Sequence, residues 1–239
     1  IPAVQAKDFN TVKQLAHHAA SKLPATCYTL GIHPIYINQA QASDLEIIEQ
    51  QIIQSLSDPR FVGVGEIGLD YFVEGLDPHQ QDFFFNAQLD LAEKYQLPVI
   101  LHVRRSQDAI LKALRRRNIP GGIAHAFNGS LQQAEQFIGL GFKLGFGGAA
   151  TYERALQIRR LLKELPLESI VTETDSPDMP PEWLKNDKRN SPNQLLNISQ
   201  IIASLRHIKH SQVTEITTNN ALEVLSNLSK LFTRPNVIH

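Results

Sequence analysis

Seven short, near-continuous apolar runs, each followed by a segment of helical periodicity, constrain this chain more than any other feature. The runs are Ile1–Val4, Thr26–Gly31, Phe61–Glu66, Pro98–Val103, Gly122–His125, Phe142–Gly147 and Ser169–Glu173. Runs without polar–apolar alternation belong to strands covered on both faces, as in a parallel sheet. The helical segments open on recognisable signals. Ser43-x-x-Glu46 and Ser130-x-x-Gln133 read as capping boxes, Asp77-Pro78-x-Gln80 as an N-cap with a proline in the first turn, and Ser191-Pro192-x-Gln194 repeats that device. Behind Ser43, the residues Leu45, Ile48, Ile52 and Leu56 share one face. A last helix is expected from about Val213 to Leu228.

Repeated strand–helix units imply a parallel sheet with right-handed crossovers. An open doubly wound sheet normally carries a glycine-rich phosphate loop after its first strand, and QAKDFN, which follows Val4, has none. A closed barrel needs eight units in roughly 250 residues. The expected fold is α/β, a (β/α)8 TIM barrel lacking its first βα unit, with residues 1–239 as a single domain and further chain expected upstream of Ile1. A 42% hydrophobic content supports a sizeable core. The 23 basic residues against 24 acidic ones exclude nucleic-acid binding driven by bulk charge. The longest apolar stretch, around Leu97–Leu101, falls far short of the roughly 18 residues of a membrane helix. Cys27 is the one cysteine, so no intramolecular disulfide forms and a cytoplasmic home is expected. No membrane association and no obligate protein partner are expected.

In barrels of this kind the chemistry sits at the carboxyl ends of the strands. Those ends are unusually polar here: Glu66 between Gly65 and Gly68, His102 with Arg104, His125, and Asp175 two residues after Glu173. Two imidazoles and two carboxylates from four strands suit Zn²⁺, Mn²⁺ or Fe²⁺, and carboxylate-rich sets admit Mg²⁺. Each residue also has an ordinary structural explanation. A strand-end histidine can be satisfied by a backbone carbonyl, Asp175 can be a turn residue before Ser-Pro, and Glu66 can pair with Arg104. Four coincidences together favour a metal-binding constellation. His33, in GIHP, either contacts substrate or caps its strand. Arg115–Arg117 and Arg159-Arg160 read as solvated helix faces. The loop Ser176–Asn190 carries Trp183, Lys185, Lys188 and Arg189, an aromatic among basic residues that either stacks a base and neutralises phosphate or is an ordinary solvated loop.

The segments GEIGLDY (Gly65–Tyr71), PVILHVRRSQD (Pro98–Asp108), HAFNGS (His125–Ser130) and ETDSPDMP (Glu173–Pro180) together resemble the TatD family of metal-dependent hydrolases, in the family's order and over nearly the whole chain. DSPDMP with TYERA (Thr151–Ala155) is most similar to the YjjV branch of that family. The resemblance implies a TIM barrel of amidohydrolase type with two divalent ions (Zn, Mn or Mg) and, in several members, deoxyribonuclease activity, including 3′→5′ exonuclease action on single strands. It makes Glu66 a bridging carboxylate with a catalytic part, His102 and His125 ligands, and Asp175 both a ligand and the residue that orients the attacking water. Arg104 becomes a candidate phosphate contact. The family's first-strand Asp-x-His-x-His element has no counterpart: His17-His18 lie on the first helix. Such an element is expected upstream of Ile1.

The function expected is divalent-metal-dependent hydrolysis of a phosphodiester, with single-stranded DNA or another phosphodiester as substrate and His33, Arg104, Trp183 and Arg189 in contact with it. Two readings compete. An amidase, lactonase or deaminase would use the same barrel and ions, and a non-catalytic binding barrel would have lost its site.

Overall fold

A computed structural model describes residues 1–23, 25–184 and 189–231. The chain divides into two compact units, residues 1–122 with the segment from 222, and residues 123–221.

In the first unit β1 (Tyr28–Leu30), β2 (Phe61–Asp70) and β3 (Val99–Arg104) run parallel, with β2 in the middle. All ten residues of β2 are buried, Glu66 and Asp70 among them, so the strand is covered on both faces. Around them stand α1 (Phe9–Ala19), α2 (Ser43–Ser55), α3 (Pro78–Lys94) and α4 (Gln107–Leu114). Ile48 and Ile52 of α2 and Phe85 and Leu89 of α3 are fully or almost fully buried. Burial of each such side chain stabilises the fold by roughly 1.5–3 kcal/mol before entropy is counted.

Several boundaries differ from expectation. Strand β2 runs past Glu66 to Asp70, because Ile67 and Leu69 continue the buried run. Ile1–Val4 forms a single parallel bridge, Pro2 to Thr29, in place of a strand. Its extended backbone is nevertheless held, with Ala3 N donating to Thr29 O (3.0 Å) and Glu66 N to Ala3 O (3.1 Å). Ser43 is no cap. Helix α2 starts from Ala42, so Ser43 already sits in its first turn, and Asp44 Oδ2 accepts from Gln41 N (2.9 Å) instead. Asp77 does cap α3, accepting from His79 N and Gln80 N ahead of Pro78.

Gly68 lies opposite His102 in the β2–β3 register, where a β-carbon would meet His102 O at 2.0 Å. Only a glycine lets the two backbones approach this closely. At the other end of the strands, Asp58 gathers three donors: His17 Nε2 (2.8 Å), Tyr28 Oη (2.9 Å) and Arg60 N (3.0 Å). Burial alone would raise the Asp58 carboxyl, but these bonds outweigh it and hold it below its ordinary range.

The second unit takes up β4 (Gly122–His125) and contains β5 (Phe142–Phe146) and β6 (Ile170–Thr172), the last two paired in parallel. Its helices are α5 (Leu131–Gly139), α6 (Leu156–Glu164), α7 (Leu195–Arg206) and α8 (His210–Val224). The Ser130–Gln133 capping box is complete in both directions. Ser191 makes no side-chain cap; its own N–H donates to Asn190 Oδ1 (2.9 Å). Phe137 packs edge-on against Phe127 and Phe142 at 5.6 and 6.0 Å between ring centroids. The final helix ends at Val224, before the expected Leu228, which opens a separate 3-10 turn. Among the described residues, no helix is long and apolar enough to cross a membrane.

Candidate metal centre

Glu66 and His102 come from neighbouring strands, and the third member of their cluster, His33, opens the turn after β1. Ligand-capable atoms of these three residues all lie within 4.8 Å of one another. Glu66 and His33 are buried and the His102 side chain is 12% exposed. The protonation pattern follows from the partners. His102 Nε2 lies 2.9 Å from Asp70 Oδ2. Burial works against the ionised Asp70 carboxyl, but the bonds from His102, Val73 N and Phe72 N hold it at about 2, so it accepts only. The His102 proton therefore sits on Nε2, and Nδ1 presents a lone pair 3.1 Å from Glu66 Oε1. His33 Nδ1 accepts from Ile35 N (3.1 Å), which leaves the proton on Nε2, within 3.0 Å of Glu66 Oε1 and 3.1 Å of His102 Nδ1.

Glu66 Oε1 and His102 Nδ1 thus stand side by side as acceptors facing His33 Nε2. A divalent cation satisfies such a pair of lone pairs, and the Asp70 carboxylate behind His102 is the partner that fixes a ligating imidazole in the correct tautomer. Glu66 and His102 fit a metal. His33 could ligate only by moving its proton to Nδ1 and losing the Ile35 bond, so here it is a donor.

Helix α3 fixes the backbone on both sides of this cluster. Gln88 Oε1 accepts from Ile32 N (2.7 Å) and its Nε2 donates to Ile32 O (3.2 Å). Gln81, seven residues earlier on the same helix face, does the same to Asp70, at 2.7 and 3.0 Å. Both glutamines are buried, and each amide matches one residue's N–H and C=O as a neighbouring strand would.

In the second unit, His125 ends β4 and lies with Nδ1 3.4 Å from Glu173 Oε1 and 4.0 Å from Asp175 Oδ1. Glu173 Oε1 also accepts from Ala126 N (2.6 Å). Gly145 and Gly147 leave the space this carboxylate occupies: a β-carbon on Gly145 would meet Glu173 Oε2 at 2.1 Å. Asp175 holds a left-handed φ of 51°. Asn190, buried, donates to Thr174 O and Asp178 O, both at 2.6 Å, and so pins the backbone on either side of Asp175.

Sequence reasoning missed Asp70 and the part played by Glu173. Each carried a signal. Asp70 follows Glu66 at strand spacing through Gly68, and the glycines of GFGG make room for an acidic side chain on a neighbouring strand. Arg104 Nη1 lies 3.9 Å from Asp70 Oδ2, so its carboxylate neighbour is Asp70 where Glu66 had been the expected alternative. Trp183 donates from Nε1 to Gln194 Oε1 (2.7 Å) with its side chain 40% exposed, and Arg189 is exposed. Lys185 and Lys188 lie outside the described residues. Arg160 pairs with Glu164 on the exposed face of α6, as expected. Arg117 lies beyond the end of α4 with its side chain only 11% exposed, paired with Asp90 and donating to Ala113 O and Asn86 O, and so is not part of a solvated helix face.

A family model described as TatD related DNase matches residues 1–226. The chain is 37% identical over 221 residues to the metal-dependent hydrolase YjjV of Escherichia coli (strain K12), covering 92% of this chain and 83% of that protein. It is 31% identical over 200 residues to the 3′-5′ ssDNA/RNA exonuclease TatD of Erwinia billingiae (strain Eb661), covering 81% and 75%. The crystal structure of Escherichia coli YjjV superposes with a TM-score of 0.88 at 36% identity, over 95% of this chain and 85% of that one. A Saccharomyces cerevisiae amidohydrolase, at 16% identity and a TM-score of 0.79, shares the fold. The chain is therefore an enzyme of the metal-dependent hydrolase class, with the parallel α/β architecture of an amidohydrolase-type (β/α)8 barrel. It belongs to the TatD-related DNase family.

Proposed function

We propose that this enzyme hydrolyses phosphodiester bonds in single-stranded nucleic acid, with Glu66, His102, His125 and Asp175 as ligands of two divalent ions, Zn²⁺, Mn²⁺ or Mg²⁺. The observation that carries the reading is the pair of acceptors made by Glu66 Oε1 and the Asp70-oriented His102 Nδ1, 3.1 Å apart. Relatives named as 3′-5′ ssDNA/RNA exonucleases support the substrate class. Such ions supply Lewis acidity, lowering the pKa of a water ligand toward neutrality and countering charge on phosphoryl oxygens.

The protein's own groups do the rest. Asp175, with its side chain 34% exposed, accepts the proton of the attacking water. Arg104, half-exposed beside Asp70, takes a phosphate oxygen, and His33 donates from Nε2 to the substrate. Trp183 and Arg189 contact a base and a phosphate further along the strand. The reading treats residues 1–239 as one catalytic domain. A single cysteine, and hence no intrachain disulfide, favours a reducing compartment such as the cytoplasm.

The test is cleavage of a 5′-labelled single-stranded oligonucleotide by the metal-loaded enzyme, with loss from the 3′ end expected. Asp175→Asn should slow it about 10²–10⁴-fold. Asparagine tolerates the left-handed φ of 51°, so the circular-dichroism spectrum should stay unchanged. Full activity in that variant overturns the role of Asp175. Hydrolysis of amides or lactones in place of oligonucleotides overturns the phosphodiester reading.

A further inference from the structure

The turn after β2 and the turn after β3 are laced together beside the His102 cluster. Asp70 Oδ1 accepts from Phe72 N (2.8 Å) and Val73 N (2.9 Å). Tyr71 N donates to Arg104 O (2.9 Å), and the buried Ser106 donates from Oγ to Leu69 O (2.6 Å). This hydrogen-bonded frame presents two large aromatic side chains to solvent: Tyr71 is 47% exposed and Phe72 46%.

Two guanidinium groups share the Phe72 ring. Arg104 Cζ lies 3.9 Å and Arg105 Cζ 4.6 Å from its centroid. Arg105 reaches it from a left-handed backbone, with φ at 56°. Two like charges drawn to one ring repel each other, and among the described residues no carboxylate is paired with Arg105. An anion meets that pair favourably, and an exposed ring beside it offers a face or edge to a flat partner.

We infer that Tyr71, Phe72 and Arg105 form a binding subsite for one nucleotide of the substrate strand, with Arg105 on a phosphate and the aromatic pair against the base. The inference rests on the phosphodiesterase reading above and deepens it. The subsite begins one residue after Asp70, which orients His102, and one residue after Arg104. A nucleotide held there is a neighbour of the scissile bond. Recognition by ring stacking and a phosphate contact tolerates any base, as single-strand binding requires.

The test is fluorescence anisotropy on the metal-loaded enzyme, with labelled eight-nucleotide oligo-dT and an abasic strand of equal length. Both strands carry phosphorothioate linkages to resist cleavage. Phe72→Ala is expected to lower the ratio of oligo-dT affinity to abasic affinity about tenfold. Phe72→Leu, which keeps apolar bulk without the ring, should do nearly the same. Arg105→Gln should weaken both strands and reduce the slope of log affinity against log salt by about 0.7. An unchanged affinity ratio in both Phe72 variants, with oligonucleotide cleaved by the parent enzyme, overturns the subsite alone. A parent enzyme that neither binds nor cleaves either strand overturns the phosphodiesterase reading and the subsite with it.

Discussion

His102 uses its two ring nitrogens differently: one donates to Asp70, and the other is thereby kept as an acceptor facing Glu66 and His33. This division of labour gives Asp70 a measurable weight. In Asp70→Asn the amide can donate or accept, so the imidazole is no longer held in one tautomer. Metal affinity should fall about 10–100-fold, read by calorimetric titration of the metal-free chain with Mn²⁺ or Zn²⁺. Unchanged affinity would show that His102 is oriented by something else. The ligand candidates Glu66, His102, His125 and Asp175 were legible in the sequence because polar residues at the ends of apolar runs are conspicuous. Asp70 is not, because an apolar run that ends at Glu66 leaves it outside the strand. Glu173 was visible, but its partner His125 lies 48 positions away and only a fold can join them.

At the scale of elements, hydrophobic patterning located the strands, matched β4 at both ends and missed the other ends by at most four residues. Among the described residues, five of the six strands lie within or nearly within the expected runs, and β2 overshoots because burial on both faces continues past its acidic residue. Helix starts were read well where a side chain makes the cap, as at Asp77 and Ser130. Ser43 is not such a start: the helix begins a residue early, and the Asp44 carboxylate accepts from Gln41 N where a serine cap was expected. Gly68 shows how an element carries the site. Gly68→Ala would press a methyl group against His102 O and force β2 and β3 apart where Glu66, Asp70 and His102 are held. A loss of more than about 2 kcal/mol in urea unfolding is expected, together with weaker metal binding. A variant as stable as the parent would mean that the strands can separate without cost.

For the molecule as a whole, the alternation of strand and helix was enough to name the fold class, since periodicity and length leave few architectures for repeated βα units. Acid stability is a property at this scale, and Asp58 makes it testable. Its carboxyl lies below the unfolded value of about 3.9, because His17, Tyr28 and Arg60 donate to the ionised form against the opposing effect of burial. The stabilisation is present above the unfolded pKa and is lost as pH falls through the lower, folded one. Below about pH 4, urea midpoints of the parent should fall more steeply than those of Asp58→Asn, which is less stable at neutral pH but lacks this protonation step. Parallel slopes for the two would remove Asp58 from the acid response.

The paired glutamines of α3 have a consequence for how such an enzyme can diverge. Gln81 and Gln88 grip main-chain atoms, so they are indifferent to which side chains the gripped positions carry. Exposed residues near the Glu66–His102 cluster can then be exchanged during descent, altering what is recognised, while the backbone from which they project stays put. A saturation library should accordingly accept few replacements at Gln88, where even glutamate lacks the N–H that the grip requires, while the buried Ile32 should accept apolar side chains of similar size.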